Sequence, residues 1–200
     1  MIVLCYAPSY STYDSLVQSC SNVEDVHHLE YLNGELILDG GLIKRLKSKK
    51  VVILVDNIHL NFPKLEAYAK LKLAGVQFGN LISPQAHIAE SAKLGENVVI
   101  HFGCMVGPSS TVKSVVEIKN FSSIDSSSLI SSGVTIGHHC FIGPEVTIGG
   151  NVNIGNYISI DRGVKVARNV SLELDHQTYR KDIIEGSFFN ESFPNGYRYI

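Results

Sequence analysis

Every sixth residue from 82 to 172 is aliphatic: Ile82, Ile88, Leu94, Ile100, Val106, Val112, Ile118, Ile124, Ile130, Ile136, Ile142, Ile148, Ile154, Ile160, Val166 and Leu172. The residue four places after each but the last, from Ala86 and Ala92 through Cys104 and Cys140 to Val164 and Val170, is small or β-branched. An unbroken period this short is the signature of a solenoid, and six is the β-helix period. Such a chain pairs each strand with the coil above at about 4.8 Å and fills its interior with aliphatic ladders. Gly95, Gly107, Gly137, Gly143, Gly149 and Gly155 directly follow the ladder residue. A tight corner there favours a residue without a Cβ.

Residues 1–80 have a different texture. MIVLCYA and VVILVD are apolar runs of strand length, residues 13–20 suit a short helix, GELILDG holds a further strand, and GLIKRLKSKK reads helical. In FPKLEAYAKLKLAG, apolar Leu65, Tyr68, Ala69, Leu71 and Leu73 mark an amphipathic helix, with Pro63 near its start and Gly75 at its end. This alternation predicts a small α/β domain with a parallel sheet, whose ligands sit at the carboxyl ends of the strands. After residue 172 the period stops. The remainder carries Tyr179, Phe188, Phe189, Phe193, Tyr197 and Tyr199, more aromatics than a loose tail holds, and is expected to cover the open end of the stack. Three segments follow: 1–80, 81–175 and 176–200.

Charge and composition narrow the function classes. The 200 residues are 44% hydrophobic with a formal net charge of -2, and Lys and Arg are scattered, which argues against a nucleic-acid surface. No segment has the length and apolarity of a membrane span, and the N-terminus lacks the pattern of a signal peptide, so a cytoplasmic protein is expected. The four cysteines show no zinc-like pairing. Cys104 and Cys140 fall two coils apart in one inward column, about 10 Å and too far to bridge.

The ladder, together with the junction VDNIHLNFPKLEAYAKLKLAGVQFGNLISPQAHI at 55–88, resembles the hexapeptide-repeat sugar acetyltransferases. Within them it is similar to the branch of sialic acid O-acetyltransferases and amino-sugar N-acetyltransferases. The resemblance implies a mixed fold: a Rossmann-like α/β domain followed by a left-handed parallel β-helix of about five coils, three hexapeptides to a coil. It also implies acetyl-CoA as donor without a metal, a sugar or nucleotide sugar as acceptor in bacterial surface polysaccharide biosynthesis, and a homotrimer with clefts between subunits.

Departures from the family pattern fall at the places where it carries its chemistry. The family's glycine-rich turn after the first strand is replaced by Ala7-Pro8-Ser9-Tyr10-Ser11-Thr12. The family's catalytic phrase, resembling VEHDCVIG, aligns without gaps to Ile124-Asp125-Ser126-Ser127, so Ser126 stands in the histidine's place beside Asp125. A second placement, Gly137-His138-His139-Cys140-Phe141-Ile142-Gly143, keeps the histidine. Its His138 lies twelve residues on, two thirds of a coil away, and is the expected general base, since imidazole titrates near operating pH. His101 reads as a surface turn residue, and His176 as a residue of the capping region. The zinc pattern of γ-class carbonic anhydrases, IGHHxxxHG, would need ligands where Gly143 and Phe102 stand, which excludes that site. Arg162, Lys165 and Arg168 form a basic cluster on the last coils, which the resemblance places near the coenzyme A phosphates. The family's closing phrase after the last repeat is absent. A second reading therefore stands beside the enzyme: a non-catalytic trimeric scaffold or sugar-binding partner of a biosynthetic enzyme.

Overall fold

A computed structural model describes residues 1–6, 11–32, 35–55, 61–180, 183–185, 188–190 and 193–197. The N-terminal part contains β1 (Ile2–Tyr6), α1 (Ser11–Ser19), β2 (Asp25–His28), a short antiparallel pair of β3 (Tyr31–Leu32) and β4 (Glu35–Leu36), α2 (Gly40–Leu46), β5 (Lys50–Val55), α3 (Phe62–Leu73) and β6 (Gln77–Phe78). Strands β2, β1, β5 and β6 form, in that order, a four-stranded parallel sheet. On one side Ile2, Leu4, Val51 and Ile53 pack with Leu42 and Leu46 of α2 and Ala67 and Leu71 of α3. On the other, Val3, Cys5, Val52 and Leu54 meet Tyr13 and Leu16 of α1, together with Leu81 and Val99 of the repeat region. Burial on both faces is why β1 and β5 read as unbroken apolar runs.

Helix ends follow their capping chemistry. Asp39 accepts the Leu42 N–H at 2.8 Å at the start of α2. At α3, Pro63 sits in the first turn and Gly75, with φ 86°, ends the helix. Asn61, the N-cap of α3, makes no side-chain cap bond. Its amide spans the gap to the repeats instead, donating to the Gly133 carbonyl at 3.1 Å and accepting from Thr135 Oγ1 at 3.0 Å.

From Leu81 onward, two-residue strands pair in parallel with those one coil away, as in Met105 with Ser123 and Val106 with Ile124. Three sheets result, which we term the first, second and third faces, beginning at Leu81–Ile82, His87–Ile88 and Lys93–Leu94. The interior is one continuous cluster running from Ile82 to Ile184. The solenoid makes about six turns rather than five, because rungs continue beyond Leu172. Thr178–Tyr179 pairs with Ser159–Ile160, Ile183–Ile184 with Lys165–Val166, and Phe188 with Ser171. Residues 193–197 then return antiparallel on the first face. Tyr179 packs against the interior; the side chains of the expected capping aromatics Phe188, Phe189, Phe193, Tyr197 and Tyr199 lie outside the described residues.

The corners show what the glycines do. The residue three places after the ladder adopts the left-handed conformation at nearly every corner from Asn97 to Asn169, including Ser109, Val115, Phe121 and His139, and glycine holds that place at 103, 133 and 163. The glycines that directly follow the ladder have no positive φ among them. They are needed for close coil stacking: a Cβ on Gly95 would lie 2.6 Å from the Ser114 nitrogen, and one on Gly149 2.6 Å from the Arg168 nitrogen.

Candidate functional site

The first corner, joining the first and second faces, carries a run of aromatic and histidine side chains. Phe102, Phe121, His139, Tyr157 and His176 form a continuous ladder of rings, with centroids 5.2, 5.1, 5.0 and 4.5 Å apart; from Phe121 onward they stack nearly parallel. His176, exposed on the last coil, thus extends a surface stack. His138 precedes His139 in this corner and is half-buried. Its backbone is fixed: the N–H donates to Asn156 Oδ1 at 3.0 Å, and its carbonyl accepts from Tyr157 N–H at 2.8 Å and from the Cys140 thiol at 3.5 Å. Burial pushes the imidazole pKa below the ordinary histidine value, and Lys119, with the neighbouring His101 and His139 rings, pushes it further, against Glu117. A neutral ring with an available lone pair is the state a general base requires.

Beneath that corner lies a sealed ionic network. Glu117 faces outward from the first face, but α1 and α3 cover it. Its carboxylate accepts from Lys64 Nζ at 2.9 Å and Tyr13 Oη at 3.4 Å, and His101 Nε2 lies 3.1 Å away. Burial alone would raise the Glu117 pKa; Lys64, His101 and Lys119 more than offset it and hold the carboxyl well below the usual carboxylate range. His101 is 1% exposed, which corrects its reading as a surface turn residue. Its corner lies under α1, a docking that the six-residue period does not reveal. The His101–Glu117 dyad has the groups of a base and its orienting acid, yet no substrate reaches it.

The second corner, joining the second and third faces, carries Asp125 and Ser126. Asp125 Oδ1 accepts the Ser126 N–H at 2.6 Å. Asp125 also lines a cavity of about 390 Å³ on the second face, walled by His87, Met105, Pro108, Ser123 and Phe141. Ser126 and His138 therefore occupy opposite edges of one face and do not meet within a chain. His87 is exposed in the same cavity; only its outward place before the ladder residue Ile88 could have marked it. Arg162, Lys165 and Arg168 are spread across the third face rather than clustered, with Lys165 on the strand Lys165–Val166 and the arginines on the turns either side. Arg162 is paired with Glu145. The expected glycine-free turn falls largely on residues 7–10, outside the described residues.

No protein-family model matches the sequence, and no curated protein does. Solved structures do. PerB from Caulobacter crescentus, in complex with CoA and GDP-perosamine, is 15% identical, with a TM-score of 0.75 over 94% of this chain and 91% of that one. A histidine-to-alanine mutant of GDP-perosamine N-acetyl transferase from the same organism, with the same two ligands, gives 0.76 at 15% identity over 91% and 89%. The acetyltransferase domain of PglB from Neisseria gonorrhoeae, in complex with acetyl coenzyme A, gives 0.56 at 19% identity over 88% and 93%. The likeness is one of fold. The parallel solenoid with its N-terminal α/β part matches those structures as a left-handed β-helix. Among the described residues no helix is long and apolar enough to cross a membrane, and no group of three or more His, Cys, Asp or Glu could hold a metal ion.

Proposed function

We propose that the protein is an acetyl-CoA-dependent acetyltransferase that modifies a sugar or nucleotide sugar for bacterial surface polysaccharide. In this reading the α/β part of residues 1–80 is a diverged Rossmann-like acceptor domain, residues 81–175 form the catalytic β-helix, and 176–200 close it. The enzyme works in the cytoplasm, where acetyl-CoA is made, as a homotrimer. The acceptor amine or hydroxyl attacks the thioester carbonyl while His138 takes its proton; the C–S bond breaks as the intermediate collapses, and His138 returns the proton to the leaving thiolate. Lys165, Arg168 and Arg162 meet the donor's phosphates as point and planar cations. The observation that carries this reading is His138 itself: a half-buried imidazole with a fixed backbone and a depressed pKa, at a corner of a solenoid shared with sugar acetyltransferase structures.

One observation favours the second reading. Ser126 occupies the place the family gives its histidine, and serine beside a carboxylate has no strong base to activate it. A non-catalytic trimeric scaffold, or sugar-binding partner of a biosynthetic enzyme, would look the same there. Calorimetric titration with acetyl-CoA separates the two: micromolar binding that disappears in the triple variant Arg162→Ala, Lys165→Ala, Arg168→Ala supports the enzyme, and absence of binding by the unaltered protein supports the scaffold.

A further inference from the structure

We infer that the acid missing beside His138 is supplied by a second copy of the chain: Asp125 of one subunit orients His138 of the next. The inference rests on the threefold assembly proposed above and adds which faces meet and what they build.

Three observations lead to it. Nine large hydrophobic side chains are exposed among the described residues, and five of them, Phe102, Met105, Phe121, Phe141 and Tyr157, lie on the second face and its first corner. An apolar strip this concentrated marks a surface that another molecule covers. The two edges of that face also differ in charge at the height of His138 and Asp125. In the middle coils the first corner presents Lys119, His138 and His139 and the second presents Asp125; the first corner's own carboxylates, Glu173 and Asp175, lie only on its last coil. The second corner's carboxylates further along, Glu145 and Asp161, are already engaged by Arg162 and Arg180. Asp125 Oδ1 takes the Ser126 N–H, which leaves Oδ2 without a partner among the described residues.

Unlike edges attract when the first corner of one copy meets the second corner of another, and such a head-to-tail contact closes into a ring when its rotation fits. A three-sided prism supplies the closing angle. Turning the second face of each of three copies toward a common axis brings the first corner of one against the second corner of the next. The heights match as well. One coil is eighteen residues (Met105 to Ser123, 123 − 105 = 18), and His138 follows Asp125 by 138 − 125 = 13, so less than one rung, about 4.8 Å, separates them along the axis. Met105 and Phe141 are then covered, and the cavity beside Asp125 becomes a closed cleft at each subunit boundary.

Within its own chain His138 has Lys119, His101, His139 and Glu117 as its electrostatic neighbours, and the only carboxylate among them, Glu117, is engaged by Lys64, Tyr13 and His101. The neighbour's Asp125 is a positioning residue: it holds the ring tautomer and stabilises the imidazolium formed when the acceptor proton is taken.

The test needs no substrate. The full chain carrying Asp125→Cys and His138→Cys is treated with a short bismaleimide and run under denaturing conditions, beside each single variant and the unaltered chain. All four native cysteines are buried. Covalent dimers and trimers from the double variant alone, with dimers only from a mixture of the two single variants, are the expected result. Monomer bands alone, from a protein that sediments as a trimer, overturn the corner pairing while sparing the trimer; sedimentation as a monomer overturns both. A second readout uses ¹³C-histidine NMR: in the Asp125→Asn trimer the His138 titration midpoint falls, and an unchanged midpoint overturns the orienting role.

Discussion

Lys64 of α3 and Glu117 of the solenoid's first face form a buried ion pair, Nζ to Oε2 2.9 Å, between side chains 2% and 1% exposed. A buried charge is tolerated only when matched, and here one carboxylate collects Lys64, His101 and Tyr13 from three different elements. The pair therefore fixes how the α/β part sits on the solenoid. Glu117→Gln strands the Lys64 ammonium and should cost about 3–5 kcal/mol, whereas Lys64→Met with Glu117→Leu should be neutral or stabilising. Denaturant midpoints of the three proteins check this. Because the Glu117 pKa is depressed in the folded state, its contribution is present above the ordinary carboxylate pKa and is lost as pH falls through the depressed value.

Coil stacking leaves no room at certain corners. A Cβ on Gly137 would overlap the Gly155 carbonyl, whereas one on Gly150 would come only to 3.4 Å of the Ser132 carbonyl. Gly137→Ala should lower stability by about 2–3 kcal/mol through overpacking and backbone shift, and Gly150→Ala should change it by under about 0.5 kcal/mol. Equal melting temperatures for the two variants would contradict the stacking argument.

The ring ladder is a separate stabilising element. His139 and Tyr157 lie 5.0 Å apart at an interplanar angle of 1°, and Tyr157 also stacks on His176 at 4.5 Å. Tyr157→Ala removes two stacking contacts and Phe102→Ala one edge contact. At about 0.5–1.5 kcal/mol per aromatic pair beyond area burial, Tyr157→Ala should cost roughly twice as much as Phe102→Ala. Urea unfolding of both variants gives the comparison.

Acetyl transfer should lose activity only at low pH. Burial and the neighbouring Lys119 depress the His138 pKa within one chain, and a base must be neutral to take the acceptor's proton. The acid limb of kcat/KM therefore follows the His138 midpoint, and activity is lost as pH drops through that midpoint. The Lys119→Gln variant, which removes that cation, should move the limb to higher pH.

The ladder was legible because a six-residue step of aliphatic residues has no other physical solution than stacked coils. The sixth coil was hidden by a change of spacing: Thr178 pairs with Ser159 across nineteen residues (178 − 159), Ile183 with Lys165 across eighteen (183 − 165) and Phe188 with Ser171 across seventeen (188 − 171), so one inserted and two deleted residues break the period while keeping the rungs. Strand β2, DVHH, carries no apolar alternation and forms only because an edge position beside β1 asks little of its side chains. The burial of His101 was equally invisible, since it depends on α1 docking and not on the local repeat. His138 could be singled out from its phrase, but its fixed backbone, its electrostatic neighbours and its distance from Asp125 within one chain emerge only from the corners of the prism.

The role of His138 is tested most directly by release of CoA from acetyl-CoA, followed with a thiol reagent in the presence of GDP- and UDP-linked amino and hydroxy sugars. The protein should release CoA with at least one acceptor, and His138→Asn should lower that rate by about 10²–10⁴-fold while leaving acetyl-CoA binding intact. Release that survives the substitution, or none with any acceptor from a protein that binds acetyl-CoA, would contradict the assignment of His138 as the base.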